Sequence, residues 1–130
     1  GRLLRMFDAL QKKKMHIILL SHVGIRTFND PEREPYDRWE MATHKKVSAM
    51  IREWVDFNLF ANYEVSTRTS GQGFKETTRA VSYGKRKLFH KYTAAFDAKS
   101  RVDLGNVPLD LDWTAFMSAF KESLKHNKGE

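Results

Sequence analysis

A histidine stands at the end of the most apolar run of this sequence. Residues 15–21 read Met-His-Ile-Ile-Leu-Leu-Ser, and His22 follows directly. Such a run predicts a strand buried on both faces of a parallel sheet, and ligands bind beyond the carboxyl ends of such strands. A neutral imidazole there can orient a water molecule, and a charged one can stabilise developing negative charge. The alternative is a histidine that only bonds a backbone carbonyl.

Two cations separated by one serine, Lys99 and Arg101, form a second candidate site. Side chains two residues apart in an extended segment point the same way, so both can approach one anion. A cation placed against a transferring phosphoryl group stabilises its transition state. The alternative is a solvated basic loop with no ligand.

Residues 23–41 contain two prolines and no steady periodicity, which predicts a long loop of the kind that is usually functional. Tyr36 and Trp39 offer aromatic faces on which bases could stack. Acidic residues nearly neutralise the basic ones here, so a contact between subunits is an equally open alternative. The basic residues of this loop and of the segments that follow it include Arg26, Arg38, Lys45, Lys46 and, further on, Arg79.

The composition favours a polyanionic partner. Lys and Arg outnumber Asp and Glu by 23 to 16 in 130 residues, a net charge of +7. Nucleic acid or nucleotide phosphate is the first expectation, and a basic protein without such a partner is the alternative. The absence of cysteine excludes disulfides and thiolate chemistry. No metal site is predicted from the histidine spacing, and no membrane partner is predicted because no apolar run is long enough.

Apolar residues at helical spacing predict three helices, over residues 3–12, 47–55 and 113–124. Thr43 is the expected N-cap of the second helix and Asp112 that of the third, because both side chains can accept from a backbone amide.

Strands are expected over residues 58–65, 77–83 and 86–92, with a turn at 82–85 between the last two. The first two should pair as a hairpin across a turn at 69–73. Together these elements predict an α/β fold in a single domain, residues 1–130, with parallel pairing first, antiparallel strands later, and flanking helices. The first helix has no strand before it, so the sheet is expected to be incomplete at its opening edge.

Several short motifs occur in a definite order along the chain. They are Ile18-Leu19-Leu20-Ser21-His22, Asp30-Pro31-Glu32, Glu34-Pro35-Tyr36-Asp37-Arg38, His44-Lys45-Lys46, Ile51-Arg52-Glu53-Trp54-Val55-Asp56, Leu59-Phe60-Ala61-Asn62-Tyr63-Glu64, Thr78-Arg79-Ala80-Val81 and Ala95-Phe96-Asp97-Ala98-Lys99-Ser100-Arg101.

Their order and spacing resemble the C-terminal half of phage RecA-like P-loop ATPases, the group that contains the phage single-strand annealing ATPases. The resemblance extends from about residue 15 to the final helix. Members carry Walker A and Walker B segments upstream, and neither occurs in these 130 residues. The resemblance implies ATP and Mg²⁺ as cofactors of the full-length protein, while this chain alone is not expected to bind or hydrolyse ATP tightly.

The resemblance also implies roles for individual residues. His22 would sense the γ-phosphate, and Lys99 with Arg101 would act as catalytic fingers in a neighbouring subunit's nucleotide. The loop at 23–41 would face single-stranded DNA, with Arg26, Arg38, Lys45, Lys46 and Arg79 as the nucleic-acid contacts.

The expected assembly is a homo-oligomeric ring or filament that acts on single-stranded DNA in phage recombination or annealing, within the bacterial host cytoplasm. Two alternatives remain open at this point. One is a basic nucleic-acid-binding or assembly domain without catalysis, and the other is a phosphoesterase that uses His22.

Overall fold

A computed structural model gives three helices and seven strands in the part of the chain that it describes. It describes the backbone of residues 1–70 and 77–127, and the side chains of these residues except 65–70 and 77–83. In chain order the elements are α1 (Arg2–Lys12), β1 (Val23–Phe28), β2 (Tyr36–Met41), α2 (Lys45–Trp54), β3 (Phe57–Asn58), β4 (Phe60–Ser70), β5 (Thr77–Phe89), β6 (Lys99–Ser100), β7 (Leu109–Asp110) and α3 (Trp113–His126).

The predicted α/β class is confirmed. The strands form a β1–β2 sheet, a β3–β6 sheet and a three-stranded β4–β5–β7 sheet. The pairings β1–β2, β4–β5 and β5–β7 are antiparallel. The chain divides into two compact units, which we describe separately. Unit 1 consists of Gly1–Asn58 and Lys91–Lys99, and unit 2 of Leu59–His90 and the residues from Ser100 onward.

In unit 1, α1 packs against the end of α2. The rings of Phe7 and Trp54 lie 5.7 Å apart, and Trp54 Nε1 donates to Asp8 Oδ1 at 2.7 Å. All three predicted helices are confirmed, but Thr43 is not the N-cap of α2. His44 takes that position, because its Nδ1 accepts from Lys46 N. The hydroxyl of Thr43 bonds Ser48 Oγ instead, at 2.5 Å.

The prediction of a buried strand over residues 15–21 is wrong. This segment has neither helical nor strand structure, and the side chains of Ile18 and Leu20 are 70% and 95% exposed. A strand requires neighbouring strands for its backbone hydrogen bonds. Among residues 1–70 and 77–127, no strand pairs with this segment, so its apolar character alone does not produce a buried strand.

Residues 23–41 form an antiparallel hairpin, which corrects the prediction of a long loop. In the register of β1 and β2, Ile25 lies opposite Trp39 and Phe28 opposite Tyr36. Both prolines fall in the connection between the strands. They therefore interrupt the pattern only at the tip, where the missing amide hydrogen of proline is tolerated.

In unit 2, β4 and β5 pair from Phe60 opposite Phe89 to Ser70 opposite Thr77. Strand β5 runs through residues 82–85, where a turn was predicted. The register shifts here instead, and the backbones approach closely at Gly84, where a Cβ atom would lie 3.0 Å from Glu64 O. Glycine in this strand therefore marks an irregularity in pairing. Most of the predicted turn at 69–73 lies outside the described residues.

Helix α3 begins as predicted, because Asp112 Oδ2 accepts from Ala115 N at 3.0 Å. Elsewhere in unit 2, Phe60 and Leu104 are buried and the rings of Phe60 and Phe89 are 6.2 Å apart. His90 is also buried, with Nε2 2.9 Å from Val107 O. None of the helices in the described part of the chain has the length and apolarity needed to cross a membrane.

Candidate functional site

The β1–β2 hairpin has a charged face that is more buried than its apolar face. Alternate residues of a strand point to opposite faces. On one face Arg38 is only 7% exposed, whereas on the other Ile25 is 60% and Trp39 37% exposed. This arrangement reverses the usual pattern of a hairpin, so the buried charges must be paired.

We call the residues that meet on the buried face the Arg38 cluster. It consists of four hairpin residues and one tyrosine from the second segment of unit 1: Arg26, Phe28, Arg38, Glu40 and Tyr92. Arg38 Nε donates to Glu40 Oε1 at 2.7 Å, and Arg38 Nη1 donates to Tyr92 Oη at 2.8 Å. The guanidinium carbon of Arg38 lies 4.0 Å from the ring centroid of Phe28. The planar guanidinium thus uses its donors and its flat face at the same time.

The charge of Arg38 is retained in this site. Burial lowers the pKa of Arg38, but the hydrogen bond and the negative charge of Glu40 outweigh burial, so the pKa lies above its ordinary value. Arg26 joins the same carboxylate, with Nη1 3.9 Å from Glu40 Oε2, and also donates to Thr43 O. Both predicted DNA-contacting arginines of the hairpin are therefore bound to Glu40.

The 92–97 turn, which comprises residues 92–97, runs beside β2. Trp39 N donates to Ala95 O at 2.8 Å, Asp97 N donates to Trp39 O at 3.4 Å, and Trp39 forms a parallel bridge with Phe96. Within the turn, Thr93 Oγ1 accepts from Ala95 N at 3.2 Å. Strand β2 thus lies between β1 and the 92–97 turn. Lys99 follows the end of this turn by two residues.

Asp97 links this turn to α2. Its Oδ2 lies 3.4 Å from Arg52 Nε and 3.5 Å from Asn58 Nδ2. Its Oδ1 is buried and has no hydrogen-bond partner among the described residues. Burial raises the pKa of Asp97, although the nearby charges of Arg52 and Arg38 lower it.

Lys99 lies at the C-terminal end of α2. Its Nζ donates to Arg52 O at 2.7 Å and to Glu53 O at 3.2 Å. These carbonyl groups carry the partial negative charge of a helix terminus, which favours a cation. The ammonium is therefore held by backbone oxygens. Arg101, its predicted companion, is exposed and belongs to unit 2.

The remaining predicted site residues are not drawn into the Arg38 cluster. His22 directly precedes β1 and is exposed, and its carbonyl accepts from Ala42 N at 2.8 Å. Lys45 and Lys46 are exposed in the first turn of α2. The side chain of Arg79 lies outside the described residues.

Glu40, Tyr92 and Asp97 were not predicted from the sequence as partners of the arginines. The period-two pattern of Tyr36–Met41, in which Arg38 and Glu40 alternate with Asp37 and Trp39, is a usable signal for the first of these. The contact of Arg38 with Tyr92 joins residues 54 positions apart, and no local pattern predicts it.

Comparison with protein families identifies the class. A family model described as an AAA domain matches residues 1–102, which supports a P-loop ATPase-type domain. The chain belongs to this AAA domain family, and the match supports a nucleotide-binding, ATPase-like function. Searches among curated proteins and among solved structures found no match.

This family generally binds ATP with Mg²⁺. The ammonium of Lys99 is held by the carbonyl oxygens of Arg52 and Glu53. Within residues 1–70 and 77–127, no three His, Asp or Glu side chains converge to hold a metal ion. The described residues therefore show a cation next to neutral carbonyl oxygens and no preassembled three-ligand metal site.

Proposed function

We propose that this chain is the portion of an ATPase-like domain that supplies cations to nucleotide phosphates, in a homo-oligomer that acts on single-stranded DNA in phage recombination. Lys99 and Arg101 would contact the nucleotide held by a neighbouring copy, and His22 would contact the γ-phosphate or its attacking water. One observation carries the proposal. In a chain that belongs to the AAA domain family, the ammonium of Lys99 is held by backbone carbonyl oxygens.

The carbonyl oxygens that hold Lys99 are weaker partners than phosphate. A phosphate group carries a formal negative charge, whereas a carbonyl oxygen carries only a partial one, so the Coulomb attraction of an ammonium to phosphate is the greater. The ammonium lies against two neutral carbonyl groups, so a polyphosphate within reach would compete successfully for it. A lysine paired with a buried carboxylate could not exchange its partner so easily.

The two faces of the hairpin would have different roles in the binding of DNA. Its exposed face presents Trp39 and Ile25, which lie opposite each other in the register. An unpaired base can stack on an aromatic ring, which contributes roughly 1–3 kcal/mol per base. Lys45 and Lys46 are exposed and free to approach phosphates, whereas Arg26 and Arg38 support the hairpin from its buried face.

The test is ATP hydrolysis by the full-length protein with and without a single-stranded oligonucleotide. The proposal predicts hydrolysis that rises when the single strand is added, and a much smaller rise with a duplex of the same sequence. Salt-dependent oligonucleotide binding without any hydrolysis would overturn the nucleotide part of the proposal. That result would favour the non-catalytic nucleic-acid-binding alternative, which the net charge of +7 supports.

A further inference from the structure

We infer that Arg38 is a positioning residue for Lys99: it fastens the β1–β2 hairpin to the 92–97 turn and thereby keeps Lys99 at the end of α2. The inference deepens the proposed function, on which the role of Lys99 rests. All of the contacts that carry it lie within unit 1.

The first step is the connection from Arg38 to the start of the turn. Arg38 donates to Tyr92 Oη at 2.8 Å while its other side is held by Glu40 and Phe28 on the hairpin. Tyr92 itself is 52% exposed, so little apolar packing holds it in place. Polar contacts therefore attach it to the hairpin: the hydrogen bond from the buried guanidinium, the approach of that guanidinium to the Tyr92 ring at 5.7 Å, and a hydrogen bond between the Tyr92 and Tyr36 hydroxyls.

The second step is the pairing of β2 with the rest of the turn. Two backbone hydrogen bonds join Trp39 to Ala95 and to Asp97. Trp39 is adjacent to Arg38 in β2. The contacts of the Arg38 side chain therefore also hold in place the edge of β2 that pairs with the turn. A single parallel bridge of this kind is short and weak by itself, and a neighbouring anchor stabilises it.

The third step leads from the turn to the ammonium. Asp97 bonds the backbone of β2 at its N–H and the side chain of Arg52 at its carboxylate. Two residues later, Lys99 donates to the carbonyl of the same Arg52. Ala98, between them, is only 5% exposed, so this part of the chain is packed. Loosening of the turn would therefore be transmitted to Lys99 over two residues.

The experiment measures how readily the amine of Lys99 reacts in the chain without ligand. Limited acetylation with acetic anhydride followed by peptide mass spectrometry gives the rate at Lys99, and hydrogen exchange gives the protection of the Asp97 and Val55 amides. The variants are Arg38→Met, which keeps the bulk of the side chain, and Tyr92→Phe, which removes only the hydroxyl. Arg33→Met is the matched control, because Arg33 lies in the same hairpin with its side chain 60% exposed.

We expect Arg38→Met to raise the acetylation rate of Lys99 about tenfold, the factor that follows from loss of one hydrogen bond to a charged group. Exchange at Asp97 should rise in parallel, while exchange at Val55, whose N–H bonds Ile51 O within α2, should stay unchanged. Tyr92→Phe should give a smaller rise of the same pattern, and Arg33→Met none.

An unchanged Lys99 rate in both Arg38→Met and Tyr92→Phe would overturn the inference. So would a rise that accompanies equal loss of protection at Val55, because that pattern reports general destabilisation. If Arg38→Met fails to fold, the Tyr92→Phe result decides alone. No nucleotide or DNA is present in these measurements, so their outcome is independent of whether the full-length protein hydrolyses ATP.

Discussion

The guanidinium of Arg38 lies 4.0 Å from the ring centroid of Phe28, on the buried face of the hairpin. A desolvated contact of this type contributes about 2 kcal/mol. Phe28→Leu should therefore lower the free energy of unfolding by roughly this amount, measured by urea unfolding followed by tryptophan fluorescence. Ile25→Ala is the control on the opposite, exposed face, where substitutions change stability by only about 0.5 kcal/mol. Equal losses in the two variants would contradict the assignment of the buried face.

Asp97 should make unit 1 more stable in mild acid. Its folded-state pKa is raised above 3.8 by burial, so the native state binds the proton more tightly than the unfolded chain. The resulting stabilisation is complete below the ordinary pKa and is lost as the pH rises through the folded-state pKa. Asp97→Asn should consequently be more stable than the wild type at neutral pH, and the difference should vanish as the pH falls toward 3.8.

The pKa of Asp110 is shifted in the opposite direction to that of Asp97, so its effect on stability should have the opposite pH dependence. The hydrogen bond and charge of Lys87, at 2.7 Å, hold the pKa of Asp110 below its ordinary value. Stability from this pair is present above the ordinary pKa and is lost as the pH falls through the folded-state pKa. Asp110→Asn should be less stable than the wild type at neutral pH and equal to it in acid. The same pH dependence for both variants would contradict the two assignments.

A side chain at Gly84 should strain the β4–β5 pairing, because a Cβ atom there would lie 3.0 Å from the backbone oxygen of Glu64. Gly84→Ala should destabilise the β4–β5 hairpin by roughly 1–3 kcal/mol, as overpacking does. Circular dichroism during thermal unfolding measures the effect. Gly24→Ala is the matched control, because its Cβ would meet Ala42 Cβ at an ordinary 4.0 Å. A greater loss in Gly24→Ala than in Gly84→Ala would contradict the close approach of β4 and β5.

Lys45 and Lys46 should contribute to oligonucleotide affinity through charge alone. Each lysine that contacts a phosphate of a single strand adds about 0.7 to the magnitude of the slope of log affinity against log salt. Lys45→Gln and Lys46→Gln should each reduce the slope by about this amount in fluorescence anisotropy with a labelled single strand. Lys125→Gln, at an exposed position of α3, should leave the slope unchanged. A slope that stays constant in all three variants would exclude Lys45 and Lys46 from the interface.

The helices were predictable because their signals are local. Leu4 and Phe7 in α1, or the aspartate that precedes α3, report the structure within a few residues. The hairpin at 23–41 was missed because its two prolines dominate the sequence pattern, although they occupy only its tip. The run at 15–21 was misassigned because burial depends on partners that periodicity does not reveal.

The candidate site shows the same limit. The types of Lys99 and Arg38 and their positive charge were evident, but the partners that decide what each can do are distant in sequence. Arg52 lies 47 residues before Lys99, and Tyr92 lies 54 residues after Arg38. Arg38, which the sequence predicts to contact DNA, is therefore held by protein partners in the fold.

The most direct measurement compares kcat and nucleotide affinity in Lys99→Ala and Arg101→Ala of the full-length protein. The account predicts that each variant loses kcat by about 10³-fold, the loss typical of a cation that contacts the transferring phosphoryl group. Nucleotide affinity should change by less than about tenfold, since the interaction is strongest in the transition state. Lys125→Ala should match the wild type. Hydrolysis at the wild-type rate in both Lys99→Ala and Arg101→Ala would contradict the central claim.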